Sequence, residues 1–220
     1  MGIAERKQRE FERREAGILE AALALFDEDD WERVTVDEIA GRAEIGKGTV
    51  YKHFPTKLAI YARLALDFYD GLLSGMQDLL DAEEREAGAE SDPVPALRAL
   101  IGYAFRYHLS HSEHRRVVQC CARDDFRHRV EPEYRQAFDA LDERFLHFIG
   151  TLLERGIASG RFPERPVLEL TWGLRATFDG AVALLWNGCY GYPIDVEDYT
   201  WKMTNYMLAG LVYQDQLAGR

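Results

Sequence analysis

Apolar residues recur along this chain at helical spacing, and no stretch alternates as a half-buried strand would. Ile18, Ala21, Ala22, Leu25 and Phe26 form one stripe, spaced as on the buried face of an amphipathic helix. Thr35 with Glu38 three residues on is a capping box, which predicts a helix start there. Ile39, Ala40 and Ala43 give that short helix a small apolar face. Glu44, Ile45 and Gly46 interrupt the period, and Lys47 to Phe54 resume it with Val50 and Phe54 facing inward. Pro55 stops the segment, and Thr56 is a suitable cap for the next helix. Its stripe runs from Leu58 through Phe68, Leu72 and Met76 to Leu79, predicting one long helix over Thr56–Ala82.

Two short helices joined by a tight turn, with the small residue Ala40 ten positions ahead of Val50, predict a steep crossing of the helix-turn-helix kind. The outer face of the second helix carries Lys47, Thr49, Tyr51, Lys52 and His53, all hydrogen-bond donors. Between Arg42 and Lys57 four basic residues (Arg42, Lys47, Lys52, Lys57) meet one acid, Glu44. A plain solvated hairpin is the competing reading, but helix lengths, turn and basic face agree on the DNA-reading one.

The segment TVDEIAGRAEIGKGTVYKHFPTK, with ILEAALALFDEDDWERV before it, resembles the DNA-binding signature of the tetracycline-repressor (TetR) family of bacterial transcription regulators. The resemblance covers about Arg14 to Leu64. The family's usual turn glycine is Glu44 here, and its usual serine before the recognition helix is Gly46. The resemblance implies an all-α fold, with an N-terminal three-helix helix-turn-helix domain over 1–58 and a C-terminal helical bundle for ligand binding and dimerisation over 59–220. It implies phosphate contacts from Thr35, Tyr51, His53 and Lys57, and contacts to base edges or adjoining backbone from Lys47, Gly48, Thr49 and Lys52. A ligand-responsive regulator follows, most often a repressor, rather than an enzyme.

Composition narrows the partner. A formal net charge of −11 over 220 residues excludes a broadly basic, nonspecific polyanion binder, so positive charge must be local. Five cations among the first fourteen residues (Arg6, Lys7, Arg9, Arg13, Arg14) are interleaved with Glu5, Glu10 and Glu12, which reads as a frayed, solvated arm over 1–12. Acids at Asp27–Asp30 should point away from phosphates, and Trp31 and Val34 are expected to cap the small core. Three cysteines, an odd number, fit a reducing compartment. With no signal-type apolar segment and no uncharged run long enough to span a bilayer, the expected setting is cytoplasmic, without membrane association.

Beyond an acidic linker, EEREAGAESDPVP, the pattern predicts helices over Pro95–Ser110, Arg115–Arg127, Pro132–Ser159, Pro166–Gly188 and Val196–Leu217. Inward-facing candidates are Tyr103, Phe105, Tyr107, Phe126, Tyr134, Phe138, Phe145, Phe148, Trp172, Phe178 and Trp186. Any one of these aromatics is ordinary core, but together they can line an apolar cavity. Tyr103, Tyr107, Phe126, Tyr134, Phe138, Phe145, Trp172 and Phe178 are the candidate pocket for an apolar or aromatic effector. Small residues (Gly173, Ala176, Gly180, Ala181) among large apolar ones mark the last two helices as a homodimer surface. Such a dimer would space two recognition helices about 34 Å apart on a palindromic operator.

Other chemistry is thinner. His108, His111 and His114 with Glu113 are spaced by threes, which rotates steadily around a helix and crosses a break at Ser110–Glu113. Cys120 and Cys121 are vicinal and near Arg123, open to thiol sensing or to plain burial. A thiol- or metal-responsive regulator built on these residues is the alternative. Asp124, Asp125 and His128 have no nucleophile or phosphate loop beside them, and no cofactor motif is read.

Overall fold

A computed structural model describes residues 2–28, 32–87 and 92–217. Among them the chain forms ten α-helices and no strand: α1 (Ile3–Glu28), α2 (Val36–Arg42), α3 (Lys47–His53), α4 (Lys57–Ala87), α5 (Pro93–Ser110), α6 (Arg115–Cys121), α7 (Asp124–Arg127), α8 (Pro132–Ala158), α9 (Val167–Trp186) and α10 (Val196–Leu217). Two compact units emerge. One comprises 1–69 with 113–139, the other 70–112 with 140–220. Both α4 and α8 contribute to each unit.

The first unit is built on α1 to α3. The capping box is present at α2: Thr35 accepts from the Glu38 amide, and the Glu38 carboxylate accepts from the Thr35 amide at 2.7 Å. Glu44 takes φ 55 in the turn and Gly46 caps α3 without a side-chain bond. Ile18, Phe26, Ile39, Val50, Phe54 and Tyr61 close the core, with the Phe26 and Tyr61 rings edge-to-face at 4.5 Å. Trp31 and Asp29–Asp30 lie outside the described residues. Val34 is buried as expected.

Two sequence expectations change in this unit. The segment read as a frayed arm is helical from Ile3 onward, where α1 begins. Side-chain bonds four apart, Gln8 to Glu12 and Arg14 to Glu10, supply helix-stabilising pairs that an apolar pattern does not display. The helix expected over Arg115–Arg127 is two, α6 and α7, parted where Arg123 is extended (φ −80°, ψ 137°). The break is tolerated because Arg127 Nε donates to the Cys121 carbonyl and the Arg123 amide to that of Cys120. Phe126 from α7 then reaches Tyr61, ring centroids 5.9 Å apart.

The second unit packs α5 with α9 and α10, alongside the later parts of α4 and α8. Asp92 caps α5 by accepting from the Val94 amide, and Pro93 opens it, so the helix starts earlier than Pro95. Helix α4 runs on to Ala87, through the start of the segment read as a linker, whose residues 88–91 are outside the described ones. Arg144 to Asp70 (2.6 Å), Arg155 to Glu84 (3.1 Å) and Arg98 to Asn205 (2.6 Å) cross-link helices at the surface. Gly71 and Gly75, one turn apart on α4, lie under the hydroxyls of Tyr107 and Tyr103, where a Cβ would collide. Trp172, expected inward, is 62% exposed on α9.

Candidate nucleic-acid interface

Helix α3 buries Val50, with Phe54 just beyond its end, and turns Lys47, Gly48, Tyr51 and Lys52 outward. Tyr51 is 47% exposed, Thr49 is half-buried and Thr35 is exposed at the start of α2. These residues share one region because α2 and α3 pack together and because the Ile45 amide donates to the Ala40 carbonyl, closing the turn at 3.0 Å.

The four cations counted in the sequence differ sharply in what holds them. Lys57 Nζ donates to the backbone carbonyls of Val34 (2.7 Å) and Glu32 (3.2 Å), and burial pulls its pKa down. Arg42 is paired with Glu28 at 3.2 Å. Lys47 donates to Asp37 Oδ2 at 2.6 Å, and that hydrogen bond raises its pKa. Lys52 is exposed, and no hydrogen bond or ion pair holds it among the described residues. Counting charges along a sequence cannot expose this difference, because each partner lies ten or more residues away.

His53 is placed differently from its neighbours. Its ring is only 3% exposed, lies 4.0 Å from the Phe11 ring, and has Nδ1 3.8 Å from Glu15, a carboxylate that also accepts from Arg63 at 3.0 Å. The ring thus joins the end of α3 to α1 and, through Glu15, to α4. The residue that sequence reading passed over is Asp37; its signal was an acid in the first turn of α2, ten positions before Lys47.

The remaining candidates divide between the units. Phe126, Tyr134 and Phe138 belong to the first; Phe126 and Phe138 are buried, and Arg127 stands 5.0 Å from the Phe138 ring. Tyr103, Tyr107, Phe145, Trp172 and Phe178 belong to the second. There Phe105 and Phe178 are 4.7 Å apart, and His108 lies 5.1 Å from Phe178 and 5.5 Å from Trp186. Burial holds His108 neutral, with its pKa lowered to about 4.

The thiol and metal alternative is not favoured. Cys121 is buried with its thiol facing the Tyr61 carbonyl, and burial pushes its pKa up. Cys120 is pushed up to about 11, again chiefly by burial. Both are protonated thiols at neutral pH, and the thiolate is the reactive form. Among the described residues no cluster of three or more His, Cys, Asp or Glu is placed to hold a metal ion. His111 instead stacks on Tyr107 at 4.2 Å, and His114 pairs with Glu113 at 3.2 Å.

Comparison with known proteins agrees with the geometry. The family model for bacterial regulatory proteins of the tetR family matches residues 18–64. An uncharacterised HTH-type transcriptional regulator, YdeS of Bacillus subtilis (strain 168), is 29% identical over 154 residues, 70% of each chain. Among solved structures, the TetR family transcriptional regulator PfmR from Thermus thermophilus superposes with a TM-score of 0.69 at 23% identity, covering 88% of this chain and 98% of that one. The transcriptional regulator FadR from Bacillus subtilis, solved in complex with stearoyl-CoA, gives 0.65 at 20% identity over 90% and 97%. Residues 18–64 thus carry the helix-turn-helix of the TetR family of bacterial transcription regulators, and the chain as a whole has the fold of solved regulators of that family.

Proposed function

We propose that this regulator is a homodimeric repressor that binds a palindromic operator through residues 1–58 and is released by an apolar small molecule held within residues 59–220. The observation that carries the DNA reading is α3 itself, with Val50 buried on one side and Lys47, Gly48, Tyr51 and Lys52 open on the other. Lys47 and Lys52 are donors for base edges or phosphates, Thr49 can bond a base or meet a thymine methyl, and Tyr51 and Thr35 can reach the backbone. In this reading His53 and Lys57 act mainly from within, His53 against Phe11 and Glu15 and Lys57 on two carbonyls, setting the angle at which α3 leaves the core.

Dimerisation is supported by the large apolar residues left bare along α9, α10 and their connection. Trp172, Trp201, Tyr206 and Tyr213 are each more than half exposed, and Leu168 and Val196 are exposed on the same two helices. Gly173, Gly180 and Gly210 would meet nothing if given a Cβ, leaving room for another helix to approach. A second copy is the occupant that closes such a face symmetrically. The effector's apolar character is supported by the ring cluster of Phe105, His108, Phe178 and Trp186, and by the acyl thioester bound in the FadR relative.

The test is selection of duplexes from a random library by the purified protein at stated salt, followed by competition with scrambled DNA. A palindromic site, bound by wild type and lost on Lys47→Ala or Tyr51→Ala, is expected. A long-chain acyl group presented as acyl-CoA, or a wholly apolar effector, should then release the selected duplex. Weak, salt-sensitive and sequence-blind binding would overturn the operator reading.

A further inference from the structure

The two lysines of α3 are not electrically equivalent, and the difference comes from α2. Lys47 is bonded to Asp37 at 2.6 Å, whereas Lys52, one turn and a residue later, is held by nothing among the described residues. The first turn of α3 contains no acid of its own, so the anion beside Lys47 is supplied wholly by the neighbouring helix. Asp37 is itself fixed. It sits between Thr35 and Glu38, whose reciprocal bonds lock the first turn of α2. Both partners remain open to solvent, with side chains 48% and 66% exposed, so DNA can reach the pair without the helices moving.

We propose that Asp37 is a specificity-determining residue, which biases Lys47 away from phosphates and toward base edges. This rests on the DNA reading above. A lysine ammonium has three donors. With one engaged by Asp37, two remain for neutral acceptors such as the O6 and N7 of guanine. A phosphate oxygen is a different partner, because it carries charge and must approach an ammonium whose near neighbour is already an anion. Its attraction to Lys47 is largely cancelled by repulsion from Asp37, while a base edge, being a dipole, is repelled far less. Nonspecific binding depends on phosphates and specific binding on both, so the carboxylate lowers the former more than the latter. Lys52, lacking any such partner, is left as the phosphate anchor of the helix.

The experiment compares wild type, Asp37→Asn, Asp37→Glu, Lys47→Ala, Lys52→Ala and Asp37→Asn/Lys47→Ala on two probes across a salt series. One probe is a duplex selected from a random library by wild-type protein; the other is its scrambled counterpart. Asp37→Asn should tighten binding to the scrambled duplex roughly threefold to tenfold with little change on the selected one. Its salt dependence on scrambled DNA should steepen by about one counterion per recognition helix. Asp37→Glu should keep most of the wild-type discrimination, and Lys52→Ala should weaken both probes alike. In the Lys47→Ala background, Asp37→Asn should still relieve phosphate repulsion and tighten both probes alike, but should no longer change the discrimination between them. An Asp37→Asn effect equal on both probes in the wild-type background, or a change in discrimination that persists without Lys47, would overturn the proposal while leaving the operator reading intact. Failure of wild type to prefer any selected duplex would instead overturn the DNA reading, and this inference with it.

Discussion

His108 enters the core of the second unit with its charge removed. Burial is the leading cause, and it outweighs the Ala104 carbonyl at 2.7 Å and the Asp179 charge, both of which favour the protonated ring. The folded-state pKa, about 4, lies below the ordinary 6.5, so between those values the unfolded chain binds the extra proton. Stability from this group is therefore complete above pH 6.5 and falls as pH drops toward 4. The loss at the lower end is of order 3 kcal/mol. His108→Gln should flatten that part of the stability curve in urea melts taken from about pH 7 to pH 4. Parallel curves for variant and wild type would mean that another group governs acid sensitivity.

At the scale of elements, the α4–α5 contact depends on absence. Gly71 and Gly75 leave two shallow notches one turn apart, and the hydroxyls of Tyr107 and Tyr103 fill them. Gly75→Ala improves helix propensity on its own terms, yet forces the Tyr103 ring outward. The expected balance is a loss of about 1–3 kcal/mol in chemical denaturation. Tyr103→Phe in the same chain should recover part of it, a non-additive result for two residues in contact. The helix boundaries themselves were mostly legible. Thr35 with Glu38 and Pro55 with Thr56 act as read, with Thr56 Oγ1 accepting from the Ala59 amide. What was not legible depended on distant or unpatterned partners. The split of α6 from α7 rests on the Arg127 side chain reaching back to Cys121, and the extent of α1 rests on pairs such as Arg14 with Glu10.

For the whole molecule, the DNA-reading segment was recognisable because its residues are close in sequence and its chemistry is exposed. Which of its cations are engaged was hidden, since Asp37, Glu28 and the carbonyls of Glu32 and Val34 join Lys47, Arg42 and Lys57 only in the fold. Aromatic residues posed the opposite difficulty. Periodicity placed Trp172 inside, yet it is 62% exposed, because apolar spacing marks a face of a helix without saying whether that face meets the core; in the proposed homodimer it would meet a second chain. Trp201→Asp, at a position 63% exposed in the single chain, should leave the helical circular-dichroism spectrum unchanged and shift the sedimenting species from dimer to monomer. A dimer that survives the substitution would place the contact elsewhere.

The bare aromatic edge of α9 and α10 also bears on how many copies a cell must hold. A chain newly released from synthesis carries Trp172, Trp201, Tyr206 and Tyr213 uncovered, and a surface of that kind is an aggregation liability until it is closed. If the closing partner is another copy, dilution favours the exposed state, and the thermal midpoint should climb with protein concentration. Low expression would then threaten the regulator twice: fewer operators would be occupied, and each unpaired chain would be a better substrate for proteases.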